Sequence, residues 1–193
     1  MSGTVIAQAI GFAVSPVISR LFSPADFGVF GSFNAVVNVI TAGVTLEYAQ
    51  AVVLPRETAT AVHLFVVSIA ATLAVTLCLL CTCLLMPGPI KSLISSPRGW
   101  LLGLLVVAVL VGGLNQTLQA WCVRAKAFKQ TSSSQVIRSI SANGIQLGLG
   151  WGRAGSLGLV FASILGDALA SINLGRVVAQ DLKEKTTHPR RLM

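Results

Sequence analysis

Six long apolar stretches follow one another along this chain, each of a length that suits a lipid bilayer. They run approximately Gly3–Ser19, Phe27–Leu46, Thr60–Met86, Trp100–Ala120, Ser134–Gly152 and Gly155–Arg176. A helix crossing a hydrocarbon core ~30 Å thick needs roughly 20 mostly apolar residues. Backbone groups in lipid must find their hydrogen bonds within the structure, so such stretches form helices or closed barrels. Barrel strands alternate apolar and polar residues over about 10 positions, and a run such as Leu101–Leu110 does not. Charged residues make up only 10% of the chain, against about 25% in soluble domains, and mean hydropathy is +0.81. The expected fold is an all-α integral membrane bundle of six transmembrane helices over residues 1–180. A basic, disordered cytoplasmic tail is expected over 181–193.

Charge sets the orientation. The net charge of +8 could point to nucleic acid, but its distribution follows the rule that cytoplasmic segments are enriched in Lys and Arg. With the N-terminus inside, Arg56, Arg124, Lys126, Lys129, Arg138, Arg176, Lys183, Lys185, Arg190 and Arg191 fall on the cytoplasmic side. Only Arg20, Lys91, Arg98 and Arg153 fall outside, ten against four, so both termini are expected in the cytoplasm and no nucleic acid as partner. The first stretch is not read as a cleaved leader, although Ala13-Val14-Ser15 resembles a cleavage site. Leaders open with basic residues, and none precedes Arg20.

Cys78, Cys81 and Cys83 have a spacing that resembles a metal site. They lie in an apolar span without His, where thiols pack as small hydrophobes, so neither metal nor disulfide is expected. His63 and His188 are isolated, and no phosphate-binding loop, HExxH or Ser-His-Asp set is present. No cofactor and no enzymatic activity are expected.

Breakers divide the stretches. Ser23-Pro24-Ala25-Asp26 separates the first two, with Asp26 suited to a helix N-terminus. Pro55-Arg56-Glu57-Thr58 precedes the third, and Pro87-Gly88-Pro89 stops it. Gly152-Arg153-Ala154-Gly155 is short enough to make the fifth and sixth helices an antiparallel hairpin.

The spans also carry polar stripes at steps of three or four, the spacing of one helix face. These are Thr4, Gln8, Gly11, Ser15 and Ser19; Asn34, Asn38, Thr41 and Thr45; Ser68, Thr72 and Thr76; Asn115, Gln116 and Gln119; Gln135, Arg138, Ser139 and Gln146; and Ser163, Asp167 and Ser171. Ridges of small residues run beside them: Gly3, Ala7, Gly11 and Ser15; Gly144, Gly148 and Gly152; Gly158, Ala162, Gly166 and Ala170. Small residues four apart let membrane helices approach closely. Ser and Thr stripes can serve packing alone, whereas paired Asn residues, Arg138 and Asp167 at membrane depth point to a hydrated cavity or a partner. Arg138 and Asp167 lie at similar depths on adjacent helices, which permits an ion pair.

Three segments resemble the polysaccharide transport family, of the O-antigen flippase type, within the multidrug/oligosaccharidyl-lipid/polysaccharide exporter superfamily. The first is Gly3-Thr4 through Gly11-Phe12, Ser15-Pro16, Arg20-Leu21-Phe22-Ser23-Pro24 and Asp26-Phe27-Gly28. The second is Tyr48 with Ala51-Val52-Val53-Leu54-Pro55. The third runs from Gln119-Ala120-Trp121 through Arg124, Lys126 and Phe128 to Val136-Ile137, Gln146-Leu147-Gly148 and Gly158-Leu159. The chain departs from the family pattern at Glu47 and Ala49, where an Arg and a Glu are usual, and at Asp167, where Gln is usual.

The resemblance implies a bacterial inner-membrane protein that flips undecaprenyl-diphosphate-linked oligosaccharide for O-antigen, capsule or exopolysaccharide synthesis. It also implies alternating access and a first six-helix lobe of a two-lobed transporter, hence a truncated chain. A second lobe, membrane lipid and glycan polymerase or assembly proteins are the partners it implies. Candidate cavity residues are Arg20, Asn34, Asn38, Asn115, Gln119, Arg138 and Asp167. Arginine suits a diphosphate, and amides suit sugar hydroxyls. Arg20 and Arg138, with Arg56 and Arg124, can equally be topology charges that snorkel to the interface. A multidrug or cation exporter using Asp167, or an inactive membrane remnant, is the alternative.

Overall fold

The computed structural model describes residues 2–44, 58–85 and 100–187. Thr45, Leu46, the Tyr48–Thr58 approach up to residue 57, Met86, the Pro87-Gly88-Pro89 stop, Lys91, Arg98 and residues 188–193 lie outside them. The described residues form six helices: α1 (Ser2–Leu21), α2 (Pro24–Val44), α3 (Thr58–Leu85), α4 (Trp100–Arg124), α5 (Phe128–Trp151) and α6 (Ser156–Thr187). This is an all-α membrane bundle. Its exterior is apolar, with Phe12, Val39, Leu77 and Leu84 uncovered by the rest of the chain, as suits contact with lipid.

Three short connections end and start these helices by local chemistry. At the first, Ser23 and Asp26 form a reciprocal cap on α2. The Asp26 N–H donates to Ser23 Oγ at 3.2 Å, and the Ser23 N–H donates to Asp26 Oδ2 at 3.1 Å. Pro24 opens α2, where a missing N–H costs nothing. The α4–α5 and α5–α6 turns share one design, in which a basic residue adopts left-handed backbone. Lys126 has φ 53° and Arg153 φ 54°. Around them Ala127 N–H donates to Cys122 O (2.9 Å) and Ala154 N–H to Leu149 O (3.1 Å), closing the preceding helix by the 6→1 bond of a Schellman end. A cation there also faces the negative end of the helix dipole.

Two boundaries differ from the sequence expectation. α5 begins at Phe128 rather than near Ser134, because the tight turn at Lys126 leaves no room for a longer loop. α6 continues through Thr187, past the boundary at residue 180 expected for the lobe.

Five of the six helices among the described residues are long and apolar enough to cross a membrane. α5 is the exception to the expectation of six apolar spans. At 24 residues it measures about 36 Å, but Lys129, Gln130, Ser132, Ser133, Arg138, Ser141 and Asn143 make it too polar to face lipid all round. Protein on two sides resolves this, since α5 packs against both α1 and α6. Ser139 Oγ donates to Ala7 O of α1 (2.8 Å), and Asn173 Nδ2 of α6 donates to buried Ser134 Oγ (3.0 Å). A polar helix survives at membrane depth where neighbours satisfy it.

The helix order in space is α1, α5, α6, α4, α3, with α2 laid against α4 and α6. Apolar clusters hold the two ends. At the end where α2 and α6 begin, Ile18, Phe22 and Leu159 pack together. At the other, Phe65, Trp121, Leu174 and Val178 do so, with the Phe65 and Trp121 rings 5.0 Å apart. Phe33, Leu105, Val109, Val160 and Ile164 bridge α2, α4 and α6 between them.

Candidate functional site

Five of the six polar stripes converge on one cleft, and the sixth does not. The α3 stripe is a packing device. Ser68, Thr72 and Thr76 are all buried, Thr72 and Thr76 donate back to the carbonyls of Ser68 and Thr72 (2.9 and 2.7 Å), and the Ser68 and Thr117 hydroxyls meet at 3.0 Å. Back-bonded hydroxyls present no donors to a ligand.

The cleft has two connected parts. A more enclosed part of about 320 Å³ lies between α2, α4, α5 and α6 and is lined by Asn34, Asn38, Thr41, Asn115, Gln116, Gln119, Gln135, Arg138, Ser163 and Asp167 over an apolar floor that includes Phe33 and Ile164. A wider part of about 380 Å³ extends between α1 and α2 and adds Thr4, Gln8, Ser139 and Gln146. Asn34, Gln135, Arg138 and Ser163 border both. The cleft thus unites Asn34, Asn38, Asn115, Gln119, Arg138 and Asp167 of the sequence candidates. Arg20 stands apart, exposed on the last turn of α1 and lining neither part. Gln116 and Gln135 belong to the site on equal terms with the amides singled out from sequence. Their positions in the polar stripes were the available signal.

Arg138 and Asp167 form an ion pair through Arg138 Nε and Asp167 Oδ1, with Nη2 3.4 Å from Oδ2. Arg138 is ten residues from Phe128 and Asp167 eleven from Ser156, or about 15–17 Å into their helices. The guanidinium is 50% exposed and the carboxylate 24%, so the cation faces the cleft and the anion sits behind it. Close helix contact makes this possible. A Cβ on Gly166 would lie 2.9 Å from Ala142 Cβ and 3.1 Å from the Arg138 carbonyl oxygen.

The cleft wall on α4 is rigid. Asn115 Nδ2 donates to Ser171 Oγ (2.9 Å) and to the Asp167 carbonyl (3.3 Å), and Asn115 Oδ1 accepts from Gln119 Nε2. Among the described residues no buried side-chain nitrogen or oxygen lacks a partner. What the arrangement offers chemically is one half-exposed cation, a ring of amides, and room for a polar ligand; the Thr41, Ser139 and Ser163 hydroxyls are taken up by backbone carbonyls. A nucleophile with an activating base is not among the lining residues.

Over residues 17–187 the chain matches the family described as polysaccharide biosynthesis protein. The chain belongs to that family. No curated protein and no solved structure matches it significantly. As a polysaccharide biosynthesis protein with several apolar membrane helices, it is a multi-pass membrane protein with a role in polysaccharide biosynthesis or export. The match runs from the last turn of α1 through α6, including the polar α5 and both turns that carry a left-handed basic residue.

Proposed function

We propose that this polysaccharide biosynthesis protein translocates undecaprenyl-diphosphate-linked oligosaccharide across the bacterial inner membrane. The observation that carries the reading is a half-exposed arginine well inside its helix, bordered by amides, in a cleft lined by α1, α2, α4, α5 and α6. A lipid-linked sugar needs its diphosphate and hydroxyls rehydrated by protein while its tail stays in lipid. Arg138 supplies charge-assisted donors to the diphosphate, and Asn34, Asn38, Gln116 and Gln135 supply donors and acceptors to sugar hydroxyls. No covalent step is required, so the protein works as a transporter and not as an enzyme. A second six-helix lobe facing the α1–α2 side would complete the cavity.

Purified protein tests this directly. Undecaprenyl diphosphate should raise its thermal unfolding temperature in detergent, undecaprenol should not, and Arg138→Gln should abolish the difference. Equal stabilisation by both lipids would remove the case for a headgroup site. Asp167 inside the same cleft supports a second reading, a cation exporter. Stabilisation by tetraphenylphosphonium that disappears in Asp167→Asn would favour it.

Orientation follows from the basic residues. Both termini face the cytoplasm in this proposal, as the excess of Lys and Arg near the α4–α5 turn and in the tail requires. Reporter fusions after Pro89 and after Arg153 should read as external, and a fusion at Met193 as cytoplasmic. An external C-terminus would mean that α5 does not cross.

A further inference from the structure

The carboxylate of Asp26 does more than cap its own helix. Its Oδ2 accepts from the Ser23 N–H at 3.1 Å and from the Ser23 hydroxyl at 2.6 Å. Its Oδ1 crosses to the start of α6 and accepts the Ser156 N–H at 2.7 Å. One side chain therefore caps two helices 130 residues apart in sequence. The fit on the α6 side is close. Gly155 is left-handed (φ +58°), and a Cβ there would stand 3.0 Å from Asp26 Oδ1.

α2 and α6 both begin at this junction and run in the same direction. Counting from Asp26, Asn34 lies ~12 Å along α2, and Ser163 lies ~10 Å along α6 from Ser156. Asn38 and Asp167 follow at ~18 Å and ~16 Å. The bond between the two starting points thus places Asn34 level with Ser163 and Asn38 level with Asp167, on two walls of the cleft. Ser163 and Asp167 are seven and eleven residues from Ser156, on the same face of α6 as that residue. Further along α2, Phe33 shares an apolar cluster with Val160 and Ile164, a contact less directional than a hydrogen bond. A slide of one helical rise, ~1.5 Å, would carry a 2.7 Å bond beyond hydrogen-bonding range.

We infer that Asp26 is a positioning residue that fixes the axial register of α2 against α6 and so aligns the amides of α2 with the polar side chains of α6. This deepens the headgroup reading of the cleft, yet it is a statement about geometry without ligand. Its failure and the failure of that reading are therefore separate results.

Thiol cross-linking reads the register. In full-length protein with Cys78, Cys81, Cys83 and Cys122 replaced by alanine, cysteine pairs at 34/163 and at 38/163 report a level and a staggered contact. A short bifunctional maleimide should join the 34/163 pair about tenfold faster, well within the ~100-fold that a misplacement of 1 Å can cost a proximity-dependent reaction, since position 38 lies ~6 Å further along α2. Asp26→Ala should lower that ratio. Ser23→Ala, which weakens the α2 cap but leaves the bond to Ser156, should keep it. An unchanged ratio in Asp26→Ala, or an equal collapse in Ser23→Ala, would overturn the inference. Should Asp26→Ala fail to yield folded protein, Ser156→Pro takes its place, since proline is tolerated at the first position of a helix and removes the N–H that Asp26 accepts. Failure of that variant to fold would also overturn it, because Asp26 would then hold the bundle together and not only its register.

Discussion

Removing both charges of the Arg138–Asp167 pair should leave a protein that folds as well as the parent but no longer responds to undecaprenyl diphosphate. Removing one charge should do more damage to the fold. Truncating one partner of a sealed buried pair costs about 3–5 kcal/mol, because the other charge is left uncompensated. Here the arginine is 50% exposed towards the cleft, so water screens the pair and the cost falls well below that range. The two single variants should also differ. Arg138→Gln strands the more enclosed carboxylate, whereas Asp167→Gln leaves a guanidinium that the cleft can hydrate. Thermal unfolding in detergent should therefore rank the double Gln variant near the parent, Asp167→Gln below it and Arg138→Gln lowest. Exchange of the two residues should restore stability, since the pair re-forms between the same two helices. A double Gln variant that still discriminates undecaprenyl diphosphate from undecaprenol would show that the arginine is structural and the ligand is held elsewhere.

A large steric effect is expected at Gly166. Leucine there would meet Ala142 and the backbone carbonyl of Arg138 at distances where atoms overlap. Overpacking a tight core costs typically 1–3 kcal/mol, and the upper part of that range applies because a backbone oxygen cannot rotate away. α5 would be pushed off α6, and the ion pair would open with it. Gly144→Leu and Gly148→Leu provide the contrast, since a Cβ at either meets nothing within 4 Å. Their effect should stay within about 0.5 kcal/mol, as for substitutions that touch nothing. If Gly144→Leu destabilised the protein as strongly as Gly166→Leu, a face shown here as open would have to be covered in the folded molecule.

That contrast marks a limit of reading the chain by spacing. Gly144-Gly148-Gly152 and Gly158-Ala162-Gly166-Ala170 have the same four-residue period, and both were expected to serve close packing. The second is buried along α6, with Ala162 and Ala170 enclosed, while Gly144 and Gly148 look outward. Period places residues on one face of a helix, but which face meets a neighbour depends on the rotation of that helix in the bundle. The same applies to hydroxyl stripes. Ser68-Thr72-Thr76 reads like Asn34-Asn38-Thr41, yet α3 turns its stripe into α4 and α2 turns its own into the cleft.

Much was nevertheless settled by the sequence alone. A chain with so few charges and repeated apolar runs must satisfy its backbone within helices, so the all-α membrane class, the six helices and the breaks at Ser23–Asp26 and Gly152–Gly155 followed from local chemistry. The hairpin at Arg153 and the possibility of an Arg138–Asp167 contact also followed, because a four-residue turn fixes relative depth. What tertiary structure decided was how side chains meet across helices far apart in sequence. It drew Asn34, Asn115, Gln135 and Arg138 to one cleft and left Arg20 outside. It showed that the polar α5 persists because α1 and α6 enclose it. It joined Asp26 to Ser156, a contact with no local signature, since the same residue already had a complete role as the cap of its own helix. Helical periodicity is a property of a few turns and is written in the sequence, whereas the azimuth and register of one helix against another come from the packing of the whole bundle.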